Sequence, residues 1–197
     1  MTGSENAREV VVVSGVRTGI GDYGGSLKDL SATRLGAIAI REAVARAGVD
    51  PASVGHVVMG SVIHGEARDM YLSRVAALDA GIPVGTPCLT VNRLCGSGLQ
   101  SIVSAAQHLM LGDCDVAVAG GAESMSRAAY FLPAGRWGQR GKGQNDQHRA
   151  PTRGHTIPFL PAAIVSAVTV PPFSRRPGTH FPPAKACGKA PGLLCRL

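Results

Sequence analysis

Cys95 is the side chain best placed to do chemistry. It lies in Thr90-Val91-Asn92-Arg93-Leu94-Cys95-Gly96-Ser97-Gly98, where a short apolar run passes directly into a helical pattern. A cysteine at the carboxyl end of a strand and just before a helix faces free backbone N–H groups, which favour a thiolate. Gly96 and Gly98 leave room for a substrate carbonyl to come close. The competing reading is an inert core thiol, because free cysteine is among the most buried residue types.

Magnitudes show what such a nucleophile still needs. A helix terminus contributes about 0.3–1 kcal/mol, and one pKa unit corresponds to about 1.4 kcal/mol. The dipole therefore lowers a thiol pKa of about 8.5 by less than a unit. An efficient nucleophile needs a base, most plausibly a histidine. The candidates in this region are His56 at a strand start, His64 after the second strand, and His108, about three turns along the helix from Cys95. None is a compelling partner, and each reads as an exposed or packed histidine. Cys88, Cys95 and Cys114 show no C-x-x-C spacing, so neither a zinc site nor a redox pair is expected. Gly19-Ile20-Gly21-Asp22-Tyr23-Gly24 matches G-x-G-x-x-G, but Gly25 follows and the helical pattern starts only near Ser31. A dinucleotide site needs the helix to open inside the motif, so a turn-forming loop is expected.

Alternating strands and helices must position these residues. Val10 to Ser14 reads as a buried strand, His56 to Ile63 as a second, Cys88 to Val91 as a third, and Asp115 to Ala119 as a fourth. Ser31 to Ala47 reads as a helix with Ala37, Ile40, Val44 and Ala47 at helical spacing and Gly48 as the stop. Asp50-Pro51 starts a brief turn. Met70 to Asp79 and Gly98 to Leu111 read as further helices. The βαβαβαβ order implies an α/β fold with a mostly parallel sheet covered by helices. Sites in such sheets lie at the carboxyl ends of the strands.

Composition bounds the function. The chain has 197 residues and is 45% hydrophobic, enough to bury a core. At 4% aromatic it is a poor platform for stacked bases, so no nucleic-acid partner is expected. No run of about 18 apolar residues is present, so no membrane partner is expected. The polar N-terminus has no signal-peptide pattern, and five cysteines, an odd count, fit a reducing compartment. A cytoplasmic location is the expectation. The net charge of +7 divides unevenly: residues 1–140 carry 12 basic and 12 acidic side chains, whereas residues 141–197 carry 8 basic and only Asp146 as an acid. Prolines divide at the same place, four before and nine after. Residues 1–140 thus read as one globular domain. Residues 141–197 read as a disordered basic tail, because proline at that density opposes both helix propagation and sheet pairing.

The segment Val91 to Gln100, V-N-R-L-C-G-S-G-L-Q, resembles the active-site segment of the thiolase family. Ser14-Gly15-Val16-Arg17-Thr18 with Gly24 to Leu27, and Gly120-Gly121-Ala122-Glu123-Ser124-Met125-Ser126, are similar to two further family segments. Arg68 to Arg74 is most like the bacterial β-ketothiolases, and the resemblance extends from about Glu9 to Arg140. It implies the N-terminal half of a thiolase, an acyltransferase acting on 3-ketoacyl-CoA thioesters. It also implies Cys95 as the residue that carries the acyl group, with its backbone N–H in an oxyanion hole. Acyl-CoA thioesters are the implied substrates, no resident cofactor is implied, and a homo-oligomer is the family's habit. The Asn-Glu, Gly-His-Pro and Cys-x-Gly-Gly segments of the family's C-terminal half do not occur, and Cys187-Gly188-Lys189-Ala190 is no match. The family's base is thus missing, and the expectation is an acyltransferase inactive in this truncated form. The alternative is a non-catalytic binding protein, a half-thiolase with a basic arm.

Resemblance stops sharply after Gly135 to Arg140, where Gly141-Lys142-Gly143-Gln144-Asn145-Asp146 follows. A shifted reading frame in a GC-rich gene explains such a break together with a tail rich in Pro, Arg, Gly and Ala. The other two frames of the coding DNA beyond the Arg140 codon are expected to encode the Asn-Glu, Gly-His-Pro and Cys-x-Gly-Gly segments. Their absence from both frames rejects the frameshift.

Overall fold

A computed structural model describes residues 8–129 and the strand at 166–170. Its sheet has five strands in the order β1-β5-β4-β2-β3. The strands are β1 (Val11–Val16), β2 (His56–Gly60), β3 (Cys88–Val91), β4 (Ala117–Gly121) and β5 (Ser166–Val170). β2 pairs in parallel with β3 and β4. β5 runs antiparallel to both β4 and β1. The first four strands therefore point the same way, as the alternating pattern implies, and β5 alone opposes them.

Two expectations change. Val10 to Ser14 was expected to be a buried strand, but β1 lies at a sheet edge with alternating burial and an irregularity between Val12 and Ser14. An edge strand has only one neighbour, so half of its surface meets solvent. The second correction concerns the tail. Proline density does not prevent pairing at Ser166-Ala167-Val168-Thr169-Val170, a proline-free run rich in β-branched residues. Pro161 lies ahead of it, and Pro171-Pro172 follow at once. Prolines here limit the strand's length without excluding it. The remainder of the tail expectation lies outside the described residues.

The central strands are buried on both faces, β2 throughout and β4 up to Gly121. Side-chain alternation assigns them to two layers. Val57, Met59 and Val118 face α1 (Ala32–Ala47) and α2 (Leu72–Ala80), joining Leu35, Ile40, Val44, Leu72 and Ala76 in the larger core cluster. Val58, Ala117 and Ala119 face α3 (Ser97–Leu111), joining Ala105 and Leu109. Burying each of the larger of these side chains stabilises the fold by about 1.5–3 kcal/mol. α1 and α2 pack closely because Gly36 stands against Ala76, where an added Cβ would approach to 3.1 Å.

The helix ends match their sequence signals. Ser31 caps α1 by accepting a hydrogen bond from the Arg34 N–H at 3.3 Å. Gly48, Gly81 and Gly112 end the three helices in the left-handed region. Asp50 caps the short 3-10 turn Pro51–Ser53. A second 3-10 segment, Ala67–Tyr71, precedes α2, so α2 starts two residues later than the Met70 the pattern suggests. Between Gly19 and Ser31 the chain makes turns, and α1 opens only beyond them.

β5 closes the gap between β1 and β4, and Val168 pairs with both Ser14 and Val118. Val168→Pro removes a ladder donor and places a proline ring between two strands. Denaturant unfolding is expected to show a loss of about 1–3 kcal/mol, the cost of leaving a buried ladder acceptor without its donor. An unchanged midpoint would mean that β5 contributes nothing to the sheet.

Candidate active site

Cys95 is exposed, in the turn that joins β3 to α3. The turn is held from both sides. Asn92 Oδ1 accepts the Leu94 N–H at 3.0 Å. Ser97 Oγ accepts the Arg93 N–H at 2.8 Å and donates to the Leu94 carbonyl at 2.6 Å. The Gly96 N–H donates to the Arg93 carbonyl at 3.1 Å, and the Ser97 N–H to the Leu94 carbonyl at 3.0 Å. Outside the turn, the Arg93 guanidinium donates to Gln100 Oε1 at 2.7 Å. Among the described residues Leu94 is the sole non-glycine with positive φ, at 49°. A left-handed residue with a γ-branched side chain costs about 1–2 kcal/mol. The surrounding hydrogen bonds offset that strain and present Cys95 outward at the amino end of α3.

The sheet brings α3 unusually close. A Cβ on Gly60, the last residue of β2, would lie 2.5 Å from the Ser97 carbonyl carbon. Gly121, at the end of β4, would meet the Gly98 Cα at 3.4 Å. Ser101, fully buried, donates to the Gly120 carbonyl at 2.7 Å. The Cys95 turn therefore rests directly on the backbone of β2 and β4.

The loops at this end of the sheet are tied to one another. Glu123 accepts hydrogen bonds from the Val62 N–H at 3.2 Å and the Ile63 N–H at 2.7 Å. Burial pushes its carboxyl up from the ordinary range, opposed by those two N–H groups and by His64. Asp69 is buried, and its Oδ2 accepts from the Gly65 N–H at 2.8 Å and the Glu66 N–H at 3.2 Å. Arg127 pairs with Glu66 at 2.9 Å. Ser126 Oγ accepts the Gly24 N–H at 2.9 Å, and Ser124 donates to the Leu30 carbonyl at 2.8 Å. Loops after β1, β2 and β4 thus form one braced platform beside the Cys95 turn. Sequence reasoning used the segments holding Glu123 and Asp69 only for their likeness, and gave no role to Ser97 or Gly60. The readable signals were an acid two residues after a strand ending in Gly-Gly and a glycine at the end of an apolar run.

The histidines divide between the two ends of the sheet. His56 and His108 stack at the amino end, with ring centroids 4.1 Å apart and planes 20° from parallel. His108 Nδ1 lies 2.8 Å from the Asp113 carboxylate. His64 follows β2 at the same end as Cys95, and its Nε2 is buried with no hydrogen-bond partner among the described residues. None of the described histidines hydrogen-bonds Cys95. Burial raises the Cys88 and Cys114 thiols, as for packed cysteines. Among the described residues no group of three or more His, Cys, Asp or Glu is arranged to hold a metal, and no helix is long and apolar enough to cross a membrane.

Residues 10–156 match the family described as thiolase, N-terminal domain. The chain belongs to the thiolase family. Beta-ketothiolase BktB of Cupriavidus necator is 67% identical over 133 residues, which are 68% of this chain and 34% of that protein. The mitochondrial acetyl-CoA acetyltransferase of Homo sapiens is 47% identical over 128 residues, 65% of this chain and 30% of that protein. Among solved structures, human mitochondrial 3-ketoacyl-CoA thiolase in complex with CoA superposes with a TM-score of 0.66 at 43% identity, covering 70% of this chain and 35% of that one. The thiolase chain described here spans about a third of the length of these relatives.

The stacked pair at the amino end makes folding of this thiolase segment sensitive to acid. Burial, then the neighbouring His108, lowers the His56 pKa below its ordinary 6.5. The unfolded chain therefore binds the proton more readily, and stability falls as pH drops below about 6.5. His56→Gln is expected to flatten the dependence of the unfolding midpoint on pH between about 7.5 and 5.5. A slope equal to the wild type's would assign the acid sensitivity to other groups.

Proposed function

We propose that this chain is the nucleophile-bearing portion of a thiolase-type acyl-CoA acyltransferase, with Cys95 as the residue that carries the acyl group. The observation that carries the reading is the Cys95 turn, exposed at the carboxyl end of β3 and at the amino end of α3. The activities named for its relatives, acetyl-CoA acetyltransferase and β-ketothiolase, support this substrate class.

In the proposed first stage the Cys95 sulfur, having given up its proton to a base, attacks the thioester carbonyl. The carbonyl oxygen takes up negative charge, and the Cys95 backbone N–H at the helix start would stabilise it. The C–S bond to CoA breaks, CoA leaves as a thiolate that takes up a proton, and the acyl group stays on Cys95. In the second stage another CoA thiol, or the α-carbon of a second acyl-CoA, accepts the acyl group and frees Cys95. CoA thioesters are the substrates, and no resident cofactor enters the scheme. Among the described residues no histidine hydrogen-bonds Cys95, so in this segment its proton goes to solvent, and slow acylation with little or no turnover is the expectation.

Incubation with excess acetyl-CoA is expected to leave an acetyl group on the Cys95 peptide, read by mass spectrometry and lost in Cys95→Ser. The chain mixed with acetoacetyl-CoA and CoA is expected to consume little or none of the ketoacyl thioester. Failure to acetylate Cys95 overturns its role as nucleophile. Robust Cys95-dependent turnover instead overturns the statement that the segment lacks a working base.

A further inference from the structure

Leu94 holds a backbone conformation that its own side chain does nothing to secure. Every other described residue with positive φ is a glycine: Gly24, Gly48, Gly81 and Gly112. The Leu94 side chain is 69% exposed, so packing against the core does not compensate it. Hydrogen bonds remain, and they divide by the side of the residue they hold. The Leu94 carbonyl accepts from the Ser97 N–H at 3.0 Å and from the Ser97 hydroxyl at 2.6 Å. Both bonds come from the first turn of α3, which is seated on Gly60, and they fix the ψ side. The Leu94 N–H donates to Asn92 Oδ1 at 3.0 Å. An asparagine side chain reaches the N–H two residues on, which alanine cannot do. Rotation about φ turns that N–H relative to the side chain and the carbonyl. The Asn92 amide is thus the group that selects the left-handed value.

We propose that Asn92 is a positioning residue for acyl transfer to Cys95, acting through the Leu94 peptide. The inference rests on the reading of Cys95 as the residue that carries the acyl group. Asn92 directly follows β3, whose last residue, Val91, accepts the Ser61 N–H at 3.1 Å, so one side of the turn is anchored to the sheet. Ser97, buried at the start of α3, anchors the other side. Cys95 lies between these anchors. A change of φ at Leu94 cannot spread outward and is taken up at Cys95 and Gly96. It moves both the sulfur and the Cys95 N–H assigned to the thioester oxygen. A hydrogen bond of ordinary strength moves a two-state equilibrium about two- to tenfold. A left-handed leucine is disfavoured by a comparable factor. One bond is therefore large enough to decide where Leu94 sits. Asn92 is exposed and belongs to neither core cluster, so its substitution leaves the packing of the sheet intact.

Incubation of the full chain with acetyl-CoA, with mass spectrometry of the Cys95 peptide over time, gives an acetylation rate. Asn92→Ala is expected to lower that rate about three- to tenfold. Leu94→Gly removes the steric cost of the left-handed backbone. Asn92→Ala added to Leu94→Gly is therefore expected to lower the rate by less than about twofold. A role confined to general stability would give the same loss in both backgrounds. Nuclear magnetic resonance reads the turn directly, because a residue with positive φ gives a strong cross-peak between its own N–H and Hα. The Leu94 cross-peak is expected to weaken in Asn92→Ala and to persist in Asn92→Asp, which keeps the acceptor. A wild-type acetylation rate in Asn92→Ala overturns the proposal. So does an equal loss in both backgrounds, or a Leu94 cross-peak that Asn92→Ala leaves at full strength. A wild-type chain that acetyl-CoA does not acetylate overturns the acyl-transfer reading instead. The cross-peaks, recorded without acetyl-CoA, then decide on their own whether Asn92 holds the Cys95 turn.

Discussion

The close seating of α3 on the ends of β2 and β4 is the constraint on which the rest depends. Gly60 and Gly121 leave no Cβ in the space that the first turn of α3 occupies. The Cys95 turn is continuous with that first turn. Its height above the sheet is thus set by two glycines that belong to different strands and are remote from it in sequence. Ser101, bonded to the Gly120 carbonyl, locks the same helix one turn further on. A side chain at Gly60 would collide with the Ser97 carbonyl and lift the helix, and with it the strained Leu94 peptide that aims the cysteine outward; a Cβ at Gly121 would press on the Gly60 carbonyl at 3.1 Å. Strain at Leu94 persists because Asn92 and Ser97 satisfy the turn's polar groups, which would otherwise relax toward an ordinary conformation.

The sheet separates two kinds of polar chemistry by its ends. At the carboxyl end, buried Glu123 and Asp69 spend their oxygens on backbone N–H groups of the loop after β2, and Arg127 and Ser126 bind that loop to its neighbours. Such bracing gives a platform a substrate can meet without first ordering several loops. At the amino end, His56 and His108 share a stacked contact beside Asp113 and away from Cys95. Histidines alone therefore do not make a site. The strand connection decides at which end of the sheet each one arrives.

α3 also leaves an apolar stripe facing outward. A helix that lies on a sheet normally turns one apolar stripe inward and a polar face to water. α3 reverses part of that rule, placing two serines beneath it and leucine, valine and methionine on top. The serines can be buried because strand carbonyls such as that of Gly120 accept their hydrogens. The outer stripe gains nothing from solvent and belongs against other protein.

Local signals determined much of this protein before any fold was drawn. Ser31 with Gly48, Gly81 and Gly112 marked helix ends because capping and left-handed geometry are properties of single residues. The runs at His56, Cys88 and Asp115 marked strands because buried parallel strands are continuously apolar. Cys95 stood out because a strand-to-helix junction is itself a local pattern. What the sequence left open was everything that depends on which segments meet. β1 read as a buried strand but became an edge, since edge or centre depends on a neighbour's position. Ser166–Val170 read as part of a tail but became the strand between β1 and β4, because the gap it fills exists only once those two strands are placed. The roles of Gly60, Ser97 and Glu123 were likewise hidden, for their partners lie in other loops and come together only when the sheet aligns its strand ends.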